Sequence, residues 1–275
     1  MAGKQKKFNV RTFRSLKTEE DMVSYAKQHL KCLGQGSSRI VFAYSPSKAL
    51  KIALNEKGYA QNLAELQISK NSETQKAIAN IFDYKLDSDN NVVWLISEVV
   101  RTISDPQEFK ELSGFSWDVY METIRAYAKA NAHEELDKIT SGISESYTKR
   151  VARLKNEGDE RNAKYYEQLL KDIETMKSSN LFSGITFAMK TNRLMSGDIL
   201  ELDHYGKTAN GNIVLYDYGF TEEIAKKYYP KPAKKSFTNA ELSKTSKKVI
   251  NLFAAERKSE PATRVTNYVL RKRAV

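Results

Sequence analysis

An α+β fold in two lobes, strand-rich first and helical after, is what this sequence predicts, and three observations carry it. The first hundred residues alternate short apolar runs with glycine, proline and asparagine turns. From Asp105 to Arg193 the apolar residues recur at helical spacing instead. Asn210-Gly211, a strong hairpin signal, then lies between two short β-rich runs. The 275 residues, 40% of them hydrophobic, suit one bilobal domain or two small ones, at roughly 100–200 residues per domain. The expected boundaries are a strand-rich N-lobe over 1–102, a helical lobe over 103–230 and a basic arm over 231–275.

In chain order, Thr18 caps a helix that runs to Leu30, and Glu19 and Glu20 suit the positive end of its dipole. Leu33–Arg39 reads as a glycine turn. Ile40–Tyr44 and Ala49–Leu54 read as strands on either side of Ser45-Pro46-Ser47. Residues 55–71 form a helix carrying Ala60, Leu63, Ala64 and Leu66. Ile78–Leu86 and Val92–Val100 are two more strands, joined by a turn over 87–91. In the helical half, Val119, Ile124, Tyr127 and Ala128 give one apolar face. Val151 and Leu154 give a second, stopped at Asn156-Glu157-Gly158. Tyr165, Leu169, Leu170, Ile173 and Met176 give a third. Glu145–Lys149 and Glu167–Lys171 are favourable i,i+4 pairs. A last helix near Leu181–Leu194 runs into the polar stretch Met195–Asp198. His204–Thr208 and Asn212–Tyr216 then make the hairpin, where both Asn210 and Gly211 accept positive φ. Pro230 and Pro232 mark the break before the arm.

Composition excludes several classes. The longest apolar run, Val92–Ile96, is far short of the roughly 20 residues of a membrane span. The basic N-terminus has no apolar stretch after it, so no secretory signal is expected. Cys32 is the only cysteine, which rules out an internal disulfide and leads to an expectation of an intracellular, reducing compartment. The three histidines lie far apart without zinc spacing, and His133-Glu134-Glu135 reads as a solvated helix face. The net charge of +11 is unevenly placed. Residues 1–17 hold six Lys/Arg and no acid, residues 231–275 hold twelve against three Glu, and the middle is net −4. Such arms either meet a polyanion, such as nonspecifically bound nucleic acid, or an acidic partner, or they solubilise the chain. Val249, Leu252 and Phe253 predict an amphipathic helix within the C-terminal arm, and Arg271-Lys272-Arg273 leaves charge free for phosphates.

The chemistry-bearing residues come in a definite order. Gly34, Gly36 and Ser37 form a loop entering a strand, where glycines let backbone N–H groups approach phosphate. Val41, seven residues after Gly34, falls where such a loop places an aliphatic side chain above a base. A period of two puts Ala49 and Lys51 on one face of the next strand, with room for a base and a phosphate ligand. Glu65, on the following helix, is placed to pair with Lys51. Asp217 closes the second hairpin strand, where a fixed carboxylate suits Mg²⁺. Asp198, nineteen residues earlier, suits a base that accepts a hydroxyl proton, and Asp203 is a second candidate metal ligand.

Glycine loop, Ala-x-Lys strand, Glu helix, Asp, hairpin and Asp-x-Gly together resemble the protein-kinase-like fold over about residues 30–222. The likeness extends to atypical kinase-like proteins of tailed bacteriophages, through Gly34–Arg39, Gly197-Asp198, Tyr205-Gly206 and Asp217–Gly219. The resemblance implies ATP and Mg²⁺ as cofactors. It also implies phosphoryl transfer to a Ser/Thr hydroxyl of a protein substrate, or of a phage or host partner, in the host cytoplasm or a virion. The alternative it leaves open is a catalytically weak pseudokinase acting as a scaffold or virion component. Four departures bear on that choice. Arg39 stands at the third glycine position. Ser196-Gly197-Asp198 replaces His-Arg-Asp. Asp203 or His204 stands where a metal-binding Asn is expected. No Ala-Pro-Glu element follows Gly219, so the fold is expected to be truncated at its C-terminal end.

Overall fold

A computed structural model describes residues 7–130 and 135–230. Lys4, Lys6, His133 and the whole C-terminal arm, including Val249, Leu252, Phe253 and Arg271-Lys272-Arg273, lie outside the described residues. Contacts divide the chain into two units, Met1–Pro230 and Lys231–Val275, and both lobes fall in the first.

The strand-rich lobe opens with two helices, α1 (Val10–Ser15) and α2 (Glu19–His29), the latter capped by the Thr18 side chain on the Asp21 N–H. Five antiparallel strands follow: β1 (Lys31–Gln35), β2 (Arg39–Ser45), β3 (Lys48–Ala53), β4 (Ile81–Leu86) and β5 (Val92–Glu98). Their spatial order is β1-β2-β3-β5-β4. Helix α3 (Glu56–Ser69) runs between β3 and β4 and packs on β3 and β5. The pleat separates two faces. Leu50, Ile52, Ile40, Phe42 and Trp94 build a core with Phe13, Met22 and Ala26 of the first helices.

The linker after β5 enters a second, three-stranded sheet of β6 (Arg101–Thr102), β7 (Tyr205–Lys207) and β8 (Ile213–Leu215). The helices of this half are α4 (Pro106–Ser113), α5 (Trp117–Lys129), α6 (Leu136–Asn156), α7 (Glu160–Lys177), α8 (Asn180–Thr191) and α9 (Ser196–Ile199), followed by α10 (Glu222–Tyr228), which packs against α3. Leu169, Ile173 and Met176 are buried as the periodicity predicts, whereas Tyr165 is largely exposed. Phe109, Trp117, Tyr120 and Tyr205 form one aromatic cluster at its centre. Together these elements make a mixed α+β fold, a strand-rich antiparallel sheet followed by a helical half. Among the described residues no helix is long and apolar enough to cross a membrane.

Four local expectations are corrected. Gly34 belongs to β1 and pairs with Val41, so the turn proper is confined to Gly36–Arg39. Ile78 lies outside β4, because Leu215 of the hairpin takes both the Ala77 carbonyl and the Ala79 N–H at 2.9 Å. Glu167 reaches across to Lys155 at 2.7 Å rather than along its own helix to Lys171. In the hairpin loop only Gly211 adopts positive φ. Its N–H meets the Thr208 carbonyl at 3.0 Å, a turn closed by one left-handed residue and so demanding glycine there alone.

Gly58 tests how tightly the glycine loop sits on α3. An alanine in place of a helical glycine ordinarily gains about 1 kcal/mol. Here the added Cβ would lie 2.1 Å from the Ser38 carbonyl oxygen, which is backbone and cannot swing away. Gly58→Ala is therefore expected to destabilise the protein by roughly 1–3 kcal/mol. A urea midpoint at or above that of the parent would contradict this packing.

Candidate functional site

Lys51 sits mid-strand in β3, paired with Val41 on one side and Leu95 on the other. A central strand offers its side chain no sheet edge from which to reach water, and Lys51 is only 7% exposed. Its Nζ donates to Glu65 Oε2 at 2.8 Å and to the Tyr216 carbonyl at 3.0 Å. Glu65, on the inward face of α3, is 0% exposed.

A second cation shares that carboxylate. Arg39 starts β2, and its Nη1 donates to Glu65 Oε1 at 2.5 Å while its Nη2 donates to Asp217 Oδ1 at 2.8 Å. The four side chains form one row: Lys51, Glu65, Arg39, Asp217. Burial opposes the Arg39 charge, but Glu65 and then Asp217 outweigh it and hold the guanidinium firmly protonated. The sequence reading gave Arg39 no role beyond filling a glycine position. A signal was present: with a period of two, Arg39 and Val41 share the face that carries Lys51 on the neighbouring strand.

Asp217 follows β8 and is fixed from behind. The buried Tyr218 hydroxyl donates to the Ala79 carbonyl at 2.8 Å. Gly219 lies so close to α3 that a Cβ would come within 3.0 Å of the Gln61 carbonyl oxygen. The Asp217 side chain is 40% exposed. Burial raises its carboxyl pKa, yet Arg39, Lys51 and His204 more than offset this, and the group lies below the ordinary aspartate value.

Asp198 lies in the short helix α9, which follows a backbone pairing of Leu194 with Thr221 and of Met195 with Phe220. That pairing brings the segment after Gly219 alongside the entry to α9. His204 Nδ1 lies 2.9 Å from the Asp198 carbonyl oxygen, and the buried Tyr205 hydroxyl donates to Ile199 at 3.0 Å. The Asp198 carboxyl is pushed up to about 7, first by burial and then by the Asp217 charge, against the lowering pull of His204 and Arg39.

The structure brings Lys51, Glu65 and Asp217 together through Arg39 and puts Asp198 within their electrostatic reach. It does not gather Asp203, which is exposed and contributes its carbonyl to the Tyr216 hydroxyl at 2.6 Å. Its neighbour His204 is the one that faces the two aspartates. Among the described residues no three or more His, Cys, Asp or Glu side chains converge as a metal cage. Of the glycine loop, Gly36 closes the turn by donating to the Arg39 carbonyl at 2.9 Å. Ser37 is tied down at both ends: its hydroxyl accepts from Lys57 at 2.7 Å and its carbonyl accepts from Asn55 at 2.9 Å. Ser38 donates to Gln61 at 2.6 Å. Ala49 is buried and Val41 half-buried.

No family model matches the chain, and no curated protein matches it either. Among solved structures it is similar to the GDP complex of an aminoglycoside 2'-phosphotransferase-IIIa mutant, at TM-score 0.32 and 14% identity. That alignment covers 70% of this chain and 66% of the other, just under two thirds of its length. It is also similar to the streptomycin–ATP–APH(2'')-IIa ternary complex, at TM-score 0.30 and 14% identity, over 73% of this chain and 70% of that one. Likenesses this distant add nothing to the chemistry of the site, which rests on its own geometry.

The row of charges sets an order of stability effects. Removing one partner of a buried ion pair typically costs about 3–5 kcal/mol, because the other charge is left uncompensated. Glu65→Gln strands two buried cations and is expected to fall in that range. Asp217→Asn removes a half-exposed group whose partner keeps Glu65, and is expected to cost about 1 kcal/mol or less. Chemical denaturation of the two variants checks the ranking, and equal losses would contradict it.

Proposed function

We propose that this protein binds a nucleoside triphosphate with Mg²⁺ and transfers a phosphoryl group to a Ser/Thr hydroxyl. The observation that supports it most is the buried Lys51–Glu65 pair on a central strand, facing Asp217 across the junction of the lobes. Bound nucleotide supplies the phosphoryl group, and the metal neutralises charge on its phosphates. Lys51, oriented by Glu65, is the residue to hold phosphate oxygens. Ala49 and Val41, small and aliphatic on the same sheet face, are placed to border a base, and the loop Gly34–Ser37 to lie over the phosphates. Asp217 fits a metal by its donor chemistry: one carboxylate oxygen has no bond to any described residue, and Mg²⁺ takes one or two carboxylates plus phosphate oxygens rather than a protein cage. Asp203, exposed nearby in sequence, is a second ligand only if its turn reorganises. Asp198, half-buried and poised near neutrality, is the group to accept the proton of the attacking hydroxyl.

A second reading has its own supporting observation. Arg39 already holds the metal-binding carboxylate, which suits a pseudokinase that binds nucleotide weakly and acts as a scaffold. The bacteriophage likeness, a protein partner and a nucleic-acid role for the basic arms rest on sequence alone and belong to the proposal.

Nucleotide binding is tested by thermal shift. A ligand specific to the native state stabilises it by about 2.7 kcal/mol at a hundredfold excess over Kd. Mg-ATP is expected to raise Tm, and Asp217→Ala to abolish the magnesium dependence of the rise. No rise at millimolar Mg-ATP in the parent would remove the reading.

Asp198 gives a pH test of the chemistry. Its folded pKa of about 7 lies above the ordinary 3.8, so the native state holds its proton between those values. Stability from this group is therefore greatest below pH 4 and is lost as pH rises through 7. Asp198→Asn is expected to stabilise the protein at pH 8, by roughly 2 kcal/mol once solvent screening is allowed for, and not at pH 4. Transfer needs the ionised form, so the rate is expected to rise through pH 7 and to drop about 10²–10⁴-fold in the Asn variant. Nucleotide binding with no transfer at any pH would favour the scaffold reading, while full activity in Asp198→Asn would clear Asp198 of the role of base.

A further inference from the structure

Arg39 is the one cation of the row that the nucleotide reading leaves without work. Its position is unusual. It comes from the rim of the glycine loop, yet its guanidinium is only 11% exposed and makes two charge-assisted bonds, one to the orienting Glu65 and one to Asp217. Guanidinium geometry is suited to this, because two donors on one rigid plane can join two carboxylates. The loop that carries it is pinned to α3 by Ser37 and Ser38, through Asn55, Lys57 and Gln61, so the side chain is delivered to this spot by a fixed base.

A divalent cation and Arg39 make the same demand on Asp217. Mg²⁺ ligates carboxylate oxygen directly at close range. A guanidinium held on the neighbouring oxygen of the same carboxylate would sit within a few ångströms of the metal, in a partly dry site where like charges repel strongly. The two cations therefore exclude each other at Asp217. We propose that Arg39 is a positioning residue that sets the metal affinity of the site: it stands in for the cation at Asp217, and a metal binds there only as the Arg39–Asp217 pair opens. This rests on the assignment of Asp217 as the metal ligand. In the language of linked equilibria, Arg39 and metal are negatively coupled through one carboxylate. Lys51 and Glu65 are spared when the latch opens, because Glu65 keeps Lys51 on its other oxygen.

Mn²⁺ alone, without nucleotide, is the probe. Its binding is followed by electron paramagnetic resonance or calorimetry in the parent, Arg39→Gln and Arg39→Lys, with Asp217→Asn introduced into each as control. Arg39→Gln is expected to bind Mn²⁺ more tightly than the parent by on the order of tenfold, and the gain is expected to vanish with Asp217→Asn. Arg39→Lys keeps the charge but not the two-ended fork, so its affinity is expected to fall between the two. That variant also provides the readout if Arg39→Gln does not fold. Equal Mn²⁺ affinity in parent and variants, or tighter binding that ignores Asp217→Asn, overturns the proposal. So does an ATP-induced thermal shift that needs no metal and is lost in Arg39→Gln, since Arg39 would then be a phosphate ligand. If no form of the protein responds to ATP while Arg39→Gln gains Mn²⁺ affinity through Asp217, the latch stands and the nucleotide reading falls.

Discussion

The carboxylate of Glu65 is the constraint on which the site depends. It is wholly removed from solvent, and a lone ionised carboxylate there would cost several kcal/mol. One cation, Lys51, satisfies one oxygen; Arg39 satisfies the other. Two cations around a single anion leave a surplus positive charge, and Asp217 balances it. The row of four is neutral overall, with each carboxylate oxygen of Glu65 used once. Much of the local sequence follows from keeping that row dry and short. Gly219 lets the chain pass within contact of Glu65 and Gln61, and Gly58 lets the loop bearing Arg39 settle on α3.

The row crosses from one lobe to the other, so its geometry needs both held in register. Three links to backbone groups do this. Leu215 bonds on both sides of Ile78, Tyr218 reaches Ala79, and the Tyr216 carbonyl receives Lys51. The segment 77–79 thus belongs to the strand-rich lobe in sequence and to the hairpin in hydrogen bonding. Below it, Tyr205 joins the aromatic cluster of α4 and α5 to the turn that carries Asp198, through bonds to Tyr120 at 2.8 Å and to Ile199. Gly206 beside it has no room for a Cβ, which would fall 2.3 Å from Val100. Both aspartates stand on backbone that is tied at several points, which is what a site of fixed charge geometry requires.

Much of this was legible in the sequence, for physical reasons that differ by element. The alternation of Leu50 and Ile52 with Ala49 and Lys51 put the lysine on the face opposite the apolar pair, and the choice between an edge strand open to water and a central one was settled only by the pairing of β3 with both β2 and β5. The i,i+3,i+4 stripe of Leu169, Ile173 and Met176 specified a buried helix face. What was not legible depends on long-range partners. Ile78 has every local property of a strand residue, but Leu215, far along the chain, claims its neighbours' backbone groups. Glu167 has a lysine one turn away and still pairs with Lys155, because the packing of α6 against α7 brings the latter closer. Asp203 and His204 differ by one position on a 3-10 turn, where a single residue rotates a side chain by about a third of a circle. Sequence order alone left the choice open between them. Arg39 was hidden for another reason. Its residue type is ordinary on a surface, and only the burial of its guanidinium shows that it is a component of the charge row.

The two aspartates show how that row divides labour between identical groups. Asp217 and Asp198 are both partly buried, and Asp198 feels the Asp217 charge. Burial raises both. The difference is the cations: Asp217 bonds to Arg39 directly and lies nearer the pull of Lys51, while Asp198 has no such bond and feels Arg39 and His204 only at a distance. One carboxyl is thereby held below the ordinary aspartate value and the other is poised near neutrality. Carboxylates whose environments push their pKa values apart are the arrangement that lets one hold charge and the other move a proton. Arg39 lowers both carboxyls, Asp217 by direct contact and Asp198 only from a distance. It stabilises the negative charge on Asp217, and that charge in turn discourages ionisation of Asp198. The side chain at the rim of the glycine loop thus acts on both carboxylates, on Asp217 by contact and on Asp198 both directly from a distance and through Asp217.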